Sequence, residues 1–374
     1  MRRGLDGFRE DADAWRAAVG ARVPVYDRLL EAAGAMFADP AGPLEEAARA
    51  RVEAAWRERR YRAGYDRPLL LMAALRAEAL RAGARHPLHA ALALPEVSLE
   101  AATRPALASA LADAPPRLFV ELATRHVQTN ETSRAVAWLW PAALLGCADG
   151  GRPLALFDLG CSAGLNLVGE RLSLEWTDLA GAPVPTATSA RIVGRHGFDA
   201  HPLEVSREDD LNWLRACIWP GETARLGRLE RAVAAFLAPR AGPSPAPRLE
   251  VADLAAVPAR LGELARAQAP EALLLAYQTV VRDYLPDAVR AAYVEGMTRW
   301  VASAPAAGPA RLWIELEAVA DAWKNPDDLP MAIEAHAADG AGGSRTFRLA
   351  RCSYHPDRID PDPAVVAAFV DRKI

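Results

Sequence analysis

Residues 154–159, LALFDL, follow the turn Gly150-Gly151-Arg152-Pro153 and close on Gly160-Cys161-Ser162-Ala163-Gly164. A short apolar run between a turn and a glycine loop is how a strand buried on both faces of a parallel sheet reads. It is the first strand-like run in the chain. The 150 residues before it are dominated by Ala, Leu, Arg and Glu, with few runs of Val, Ile or Thr, and they predict five or six helices. Breaks fall near Pro24, 39–43, Pro68, His86-Pro87 and Pro115-Pro116. The last of these helices carries the apolar stripe Val136, Leu139, Trp140, Ala143 and Leu144, with Pro141 as a point where it can kink.

After the glycine loop, strand-like runs at 190–197, 249–252, 272–276, 311–317 and 346–352 alternate with helical stretches at 206–218, 221–238, 258–267 and 286–303. That alternation predicts an α/β fold, a Rossmann-like doubly wound and mostly parallel sheet with a helical N-terminal region. The expected division is a helical part over 1–115 and an α/β domain over 116–374. An inserted hairpin is expected near 172–190, around Leu174-Glu175-Trp176 and Gly181-Ala182-Pro183. A Pro-rich stretch over 239–247 reads as a surface loop.

Composition narrows the partners. Net charge is −4, and of 44 basic residues only Lys324 and Lys373 are lysines. No basic run stands apart from neighbouring acids, so the pull on a phosphate backbone is missing and nucleic acid is not expected. No apolar run approaches the roughly 20 residues of a membrane span. The N-terminal stretch meets acids within six residues and lacks a signal-peptide core. Cys147, Cys161, Cys217 and Cys352 show no metal-ligand spacing and read as reduced thiols in a cytoplasmic protein. The seven histidines, His126, His196 and His201 among them, suggest no metal site either. Oligomeric state is not legible.

The loop admits two chemistries. Gly160-Cys161-Ser162-Ala163-Gly164 fits G-x-S-x-G, the elbow of a serine hydrolase. An elbow follows a central strand whose earlier neighbours come from upstream sequence, and here upstream sequence offers almost no strands. A carboxylate at Asp158, beneath an elbow, would be an unpaired buried charge. At the end of a first strand it can instead meet a cation or the hydrogen-bond donors of a cofactor. The cofactor reading is preferred, with Gly160, Ser162, Ala163, Gly164 and, in the first turn beyond, Asn166 as its contacts. The middle glycine of G-x-G-x-x-G is replaced by Ser162, which argues against a pyrophosphate.

Asp158 two residues before the first glycine resembles motif I of class I S-adenosylmethionine-dependent methyltransferases. The resemblance extends to Gly197-Phe198-Asp199, where it implies a ribose-binding acid, and to Asp253-Leu254, where it implies contacts to the adenine. Leu274 to Thr279, Tyr284-Leu285-Pro286 and Arg311 to Glu315 follow in the same order. The 41 positions from Asp158 to Asp199 exceed the roughly 20 of a compact unit, which leaves Glu175 as an alternative ribose acid. At a finer level the chain resembles a bacterial family, domain of unknown function 2332. That likeness rests on Gln128-Thr129-Asn130-Glu131 with Arg134, on the glycine loop through Leu167, and on Trp213-Leu214 with Trp219-Pro220.

The resemblance implies S-adenosylmethionine as cofactor and a small-molecule methyl acceptor. Tyr277, Gln278, Tyr284 and Arg134 are candidates near the acceptor, and Asn130 a further cofactor contact. Against these stand plainer readings: Thr129 or Asn130 as a helix cap with Glu131 complementing the dipole, Asp158 and Asp253 as capping carboxylates, Tyr284 as a packing residue. Two other function classes remain open, a methyltransferase-like protein that binds without turnover and a hydrolase using Ser162.

Overall fold

The computed structural model describes residues 2–61, 64–93, 95–128, 130–238, 244–319 and 329–371. The chain divides into two compact units, Met1–Thr129 with Ser206–Gly227, and Asn130–Val205 with Arg228–Ile374. The sequence-based division at 115/116 therefore differs from the contact-based one at 129/130, and a later segment returns to the first unit.

The first unit is helical: α1 (Phe8–Val19), α2 (Pro24–Ala38), α3 (Pro43–Trp56), α4 (Asp66–Ala82), α5 (His89–Leu92), α6 (Arg104–Ala112) and α7 (Pro116–Thr124). Proline opens α2, α3 and α7 in the first turn, where its missing N–H is no loss. Pro68, expected as a break, likewise sits in the first turn of α4. In the core of this unit Arg67, wholly buried, donates from Nε to Asp11 at 2.9 Å. The helix at Glu208–Cys217 (α9, α8 being described below) joins this unit through Asn212, whose Nδ2 donates to the Ala77 carbonyl at 3.0 Å.

The second unit is built on a nine-stranded sheet. Its strands are β1 (Leu154–Leu159), β2 (Thr177–Asp178), β3 (Ile192–Asp199), β4 (Arg248–Val251), β5 (Leu273–Thr279), β6 (Ala310–Ala318), β7 (Met331–Ala338), β8 (Ser344–Cys352) and β9 (Arg358–Pro361). The spatial order is β2-β9-β8-β7-β6-β5-β1-β3-β4. From β4 to β6 all neighbours are parallel, whereas β6 to β9 form an antiparallel meander. Side chains of β1 alternate between the two faces. Leu154 and Leu156 join one core cluster with α8 (Val136–Leu144), and Ala155, Phe157 and Leu159 join another with α11 (Val257–Ala265) and α12 (Asp287–Ala302). Full burial on both sides, worth about 1.5–3 kcal/mol for each large side chain, is why LALFDL carries no polar alternation.

Three observed features depart from the sequence reading. Strand β7 (MAIEAHAA) was not expected, because Ala, Met and Glu favour helix and only its pairing with β6 and β8 makes it a strand. The helix expected to open near 128–131 begins as a 3-10 turn at Thr132–Ala135, and Pro141 lies inside α8. The hairpin expected near 172–190 does form over 176–184, where Val184 N bonds Trp176 O at 2.9 Å and Thr177 bridges Pro183 antiparallel, but it joins the main sheet. Its strand β2 pairs with β9 at the far edge of the sheet. Residues 239–243 of the Pro-rich loop lie outside the described residues, and 244–247 carry no regular structure. The last helices are α10 (Thr223–Leu237), through which the unit boundary runs, and α13 (Pro363–Val370). All four cysteines are buried free thiols. No described helix is long and apolar enough to cross a membrane.

Candidate functional site

The chain lays β1, β3 and β4 side by side in one direction, then places β5 and β6 on the other flank of β1. Open parallel sheets bind ligands at such a reversal, outside the carboxyl ends of the strands. At that end of β1 stands Asp158, in register with Gly197 of β3 and Tyr277 of β5. Asp158 is only 3% exposed. Burial pushes its carboxyl up to about 7, Tyr277 offsets part of the rise and the negative charge of Asp199 adds to it. The buried Tyr277 hydroxyl faces the Asp158 carboxyl, and the Oδ1 of Asn166 is buried without a hydrogen-bond partner. Such a buried, unsatisfied polar atom calls for an explanation, and a polar ligand is one.

The loop beyond β1 adopts a left-handed backbone at three places, with φ of 74° at Gly160, 52° at Ser162 and 68° at Gly164. At Ser162 this conformation costs about 1–2 kcal/mol that glycine would not. Hydrogen bonds hold it there. Gly160 N and Cys161 N bond to Phe198 O at 2.8 and 3.0 Å, Leu203 N bonds to Ser162 O at 3.1 Å, and Ser162 N donates to Asp199 Oδ2 at 2.8 Å. From upstream, Asn130 Nδ2 donates to Ser162 Oγ at 2.5 Å. A side chain at Gly160 would press on Val281 at 2.7 Å and one at Gly164 on Leu249 at 2.6 Å, so both glycines are demanded by packing as well as by φ.

Asp199 also accepts from His201 N at 2.8 Å through Oδ1. Each of its oxygens keeps a second lone pair for a ligand hydroxyl. Asp253 stands exposed beyond the end of β4 and accepts from Ala255 N at 2.9 Å within the turn, not as the cap of α11, whose N-cap is Ala256, while Leu254 packs into the core with Val257 and Leu261. Ala163 is fully buried beneath the loop. Asn166 lies in a 3-10 segment, Leu165–Arg171, where its carbonyl receives Trp138 Nε1 at 2.9 Å. Glu175 is exposed beside β2, at the far edge of the sheet from Asp199, so Asp199 is the acid that meets the glycine loop.

The upstream polar cluster is split by the structure. Gln128 belongs to the first unit, and Thr129 lies outside the described residues. Capping falls to Glu131, whose side chain accepts from Ser133 N at 3.3 Å. Its buried carboxylate also takes two bonds from Arg228, at 2.9 and 3.1 Å, and faces His355 Nδ1 at 3.3 Å. Burial opposes its ionisation, but His355 and Arg228 outweigh that and hold it well below the usual carboxylate range. Arg134 is buried and donates to the Tyr354 carbonyl at 3.1 Å. Trp176 ties the same segment down by donating to the carbonyls of Ser133 and Pro356 at 3.0 and 2.9 Å.

On β5 the acceptor-side candidates separate. Gln278 is fully buried. Its Oε1 receives Tyr293 and Trp313, and its Nε2 donates to Glu317 at 2.7 Å, so its amide is consumed within the protein. Tyr284 is 53% exposed at the mouth of the same end of the sheet. The sequence reading missed the ion network next to them. Arg282 pairs with Glu315, which meets His336 Nε2 at 2.9 Å, and Thr346 meets the other ring nitrogen at 2.9 Å. Glu315, Glu334 and His336 cluster closely, but Arg282 and Arg348 already neutralise the two carboxylates. Two acids at alternate positions of a buried strand, Glu315 and Glu317, were the signal available in the sequence.

The fold and site thus define an α/β protein with acidic side chains at the strand-order reversal, beside a glycine loop. The chain belongs to the family described as "uncharacterized protein conserved in bacteria (DUF2332)", which matches residues 14–360. No curated protein matches it.

Proposed function

We propose that this protein is an S-adenosylmethionine-dependent methyltransferase acting on a small molecule. The observation that carries the reading is the row of acids Asp158, Asp199 and Asp253 at or just beyond the carboxyl ends of three adjacent parallel strands, with Asp199 bonded to one left-handed glycine loop. Numbered by their order in the parallel half, those strands run third, second, first, fourth, fifth, the doubly wound arrangement of nucleotide-binding sheets.

The residues present suit the group. Asp158, buried with Tyr277 and close to the charge of Asp199, favours a positively charged atom such as the methionyl ammonium. Asp199 offers lone pairs to ribose hydroxyls, Asp253 would accept from an adenine amino group, and the unpartnered Asn166 Oδ1 has a polar atom to gain. The bound cofactor supplies an electrophilic methyl group on a sulfonium. The protein's part is to align an acceptor with that methyl and to exclude water, so positioning accounts for much of the rate and no strong base is required. Tyr284 and Arg134 are the candidates for meeting the acceptor; Gln278, its amide bonded within the protein, supports the strand.

Hydrolysis by Ser162 fits less well, because β1 ends at Leu159, three residues short of the serine, and a 3-10 segment follows in place of the elbow's helix. Titration calorimetry with S-adenosylhomocysteine tests the proposal. Binding by the wild type and its loss in Asp158→Ala and Asp253→Ala are expected, whereas labelling of Ser162 by a fluorophosphonate without nucleoside binding would replace it with the hydrolase. Turnover of labelled methyl groups then separates an enzyme from a binding protein.

A further inference from the structure

Val280 follows β5 with φ of 58°, a left-handed conformation at a β-branched residue. Glycine adopts it freely; valine does so only where the surroundings over-determine it. Val280 N is anchored to Leu316 O at 2.9 Å. The next two amides, Val281 N and Arg282 N, both donate to Glu317 Oε1, at 2.9 and 3.3 Å, and Gln278 Nε2 donates to the same oxygen at 2.7 Å. One buried carboxylate oxygen therefore gathers three donors from the strand end and the turn. Just beyond, Val281 packs against Gly160, so closely that a methyl group there would meet it at 2.7 Å. The turn is one wall of the glycine loop.

We infer that Glu317 is a positioning residue that holds the strained Val280–Arg282 turn closed against Gly160, so that ligand affinity at the glycine loop depends on a carboxylate acting through the turn. This inference rests on the proposed nucleoside site. Strain in the turn opposes closure, and the three charge-assisted bonds to Glu317 offset it. Removing the carboxylate lets Val280 relax toward an ordinary φ and withdraws Val281 from the loop. Displacing a site wall by about 1 Å from a distance costs up to roughly 100-fold.

A strain-relief cycle distinguishes positioning from mere stabilisation. S-adenosylhomocysteine affinity is measured by calorimetry, and amide exchange by mass spectrometry, for wild type, Glu317→Ala, Glu317→Gln, Val280→Gly and the Glu317→Ala/Val280→Gly double variant. In Glu317→Ala, affinity should fall about 10- to 100-fold, with faster exchange over both 280–285 and 160–165. Glu317→Gln, which keeps the acceptor oxygen, should recover most of the loss. Val280→Gly, which makes the turn unstrained, should restore affinity in the double variant. An affinity in Glu317→Ala equal to wild type, or a loss that neither Glu317→Gln nor Val280→Gly repairs, overturns the inference. If the wild type binds no nucleoside, the proposed function fails, and the exchange data alone then judge the clamp: unchanged exchange at 160–165 in Glu317→Ala refutes it.

Discussion

Replacing Asp158 by asparagine should make the protein more stable above neutral pH while weakening its ligand. Burial raises the folded-state carboxyl from an ordinary 3.8 to about 7. Between those values the unfolded chain has lost its proton and the folded one retains it, so stability falls with rising pH. The contribution is fully present below pH ~4, declines through the intervening range and is gone above pH ~7. Three pH units at 1.36 kcal/mol each give an upper figure of about 4 kcal/mol, and relaxation around the site brings the expected effect to roughly 2–4 kcal/mol. Glu317, also raised by burial to about 7, adds a slope of the same sign in the wild type and in the variant. The difference between the two proteins isolates Asp158. Urea titrations at steps from pH 4 to 9 should show the Asp158→Asn stability curve crossing above wild type and staying there at pH 8. Parallel curves, or a less stable variant at pH 8, would refute the reading of Asp158 as an ionisable group held at a cost for a ligand's sake. A cationic ligand should stabilise the ionised form, so binding near pH 6.5 should release protons, read as a buffer-dependent enthalpy in calorimetry.

Gly160→Ala combines an unfavourable φ with a contact against Val281; a loss of about 1–3 kcal/mol in denaturant midpoint analysis, with weaker nucleoside binding, is expected. In Asp11→Ala the wholly buried Arg67 is left without its carboxylate, and chemical denaturation should register a loss of about 3–5 kcal/mol in the helical unit. Trp176→Phe keeps an aromatic ring but removes part of the indole and strips a donor from two carbonyls; about 1–3 kcal/mol should be lost, and proteolysis near 354–356 should quicken.

Much of the sheet was legible because its strands announce themselves locally. The apolar run of β1 matched at both ends, and β3, β4, β5, β6 and β8 appeared within a few residues; β1 and β5, buried on both faces, have no other composition available, while β4 and β8 are partly exposed and are marked by the turns that bound them. Asp158 and the glycine loop were readable for the same reason: a lone carboxylate ending a buried run, and glycines where the backbone turns left-handed. Nothing local marked β7, whose residues favour helix, or the pairing of β2 with a strand about 180 residues away. The same applies to the roles of side chains. Gln278 read as a site residue until its neighbours Tyr293, Trp313 and Glu317 were seen to occupy its amide. Arg228 and His355 drew no attention until they met Glu131.

What the sequence determined by itself was the kind of structure: helices first, then alternating strands and helices with a loop of small residues after the opening strand. Periodicity and backbone propensity act over a few neighbours, and that range is enough to set those elements. The tertiary structure alone decided which acids stand at the same end of the sheet, which polar groups are already satisfied, and where strain is held, at Val280 beside the turn that Glu317 binds. Those properties depend on burial and on partners distant along the chain, and no short stretch of residues carries them.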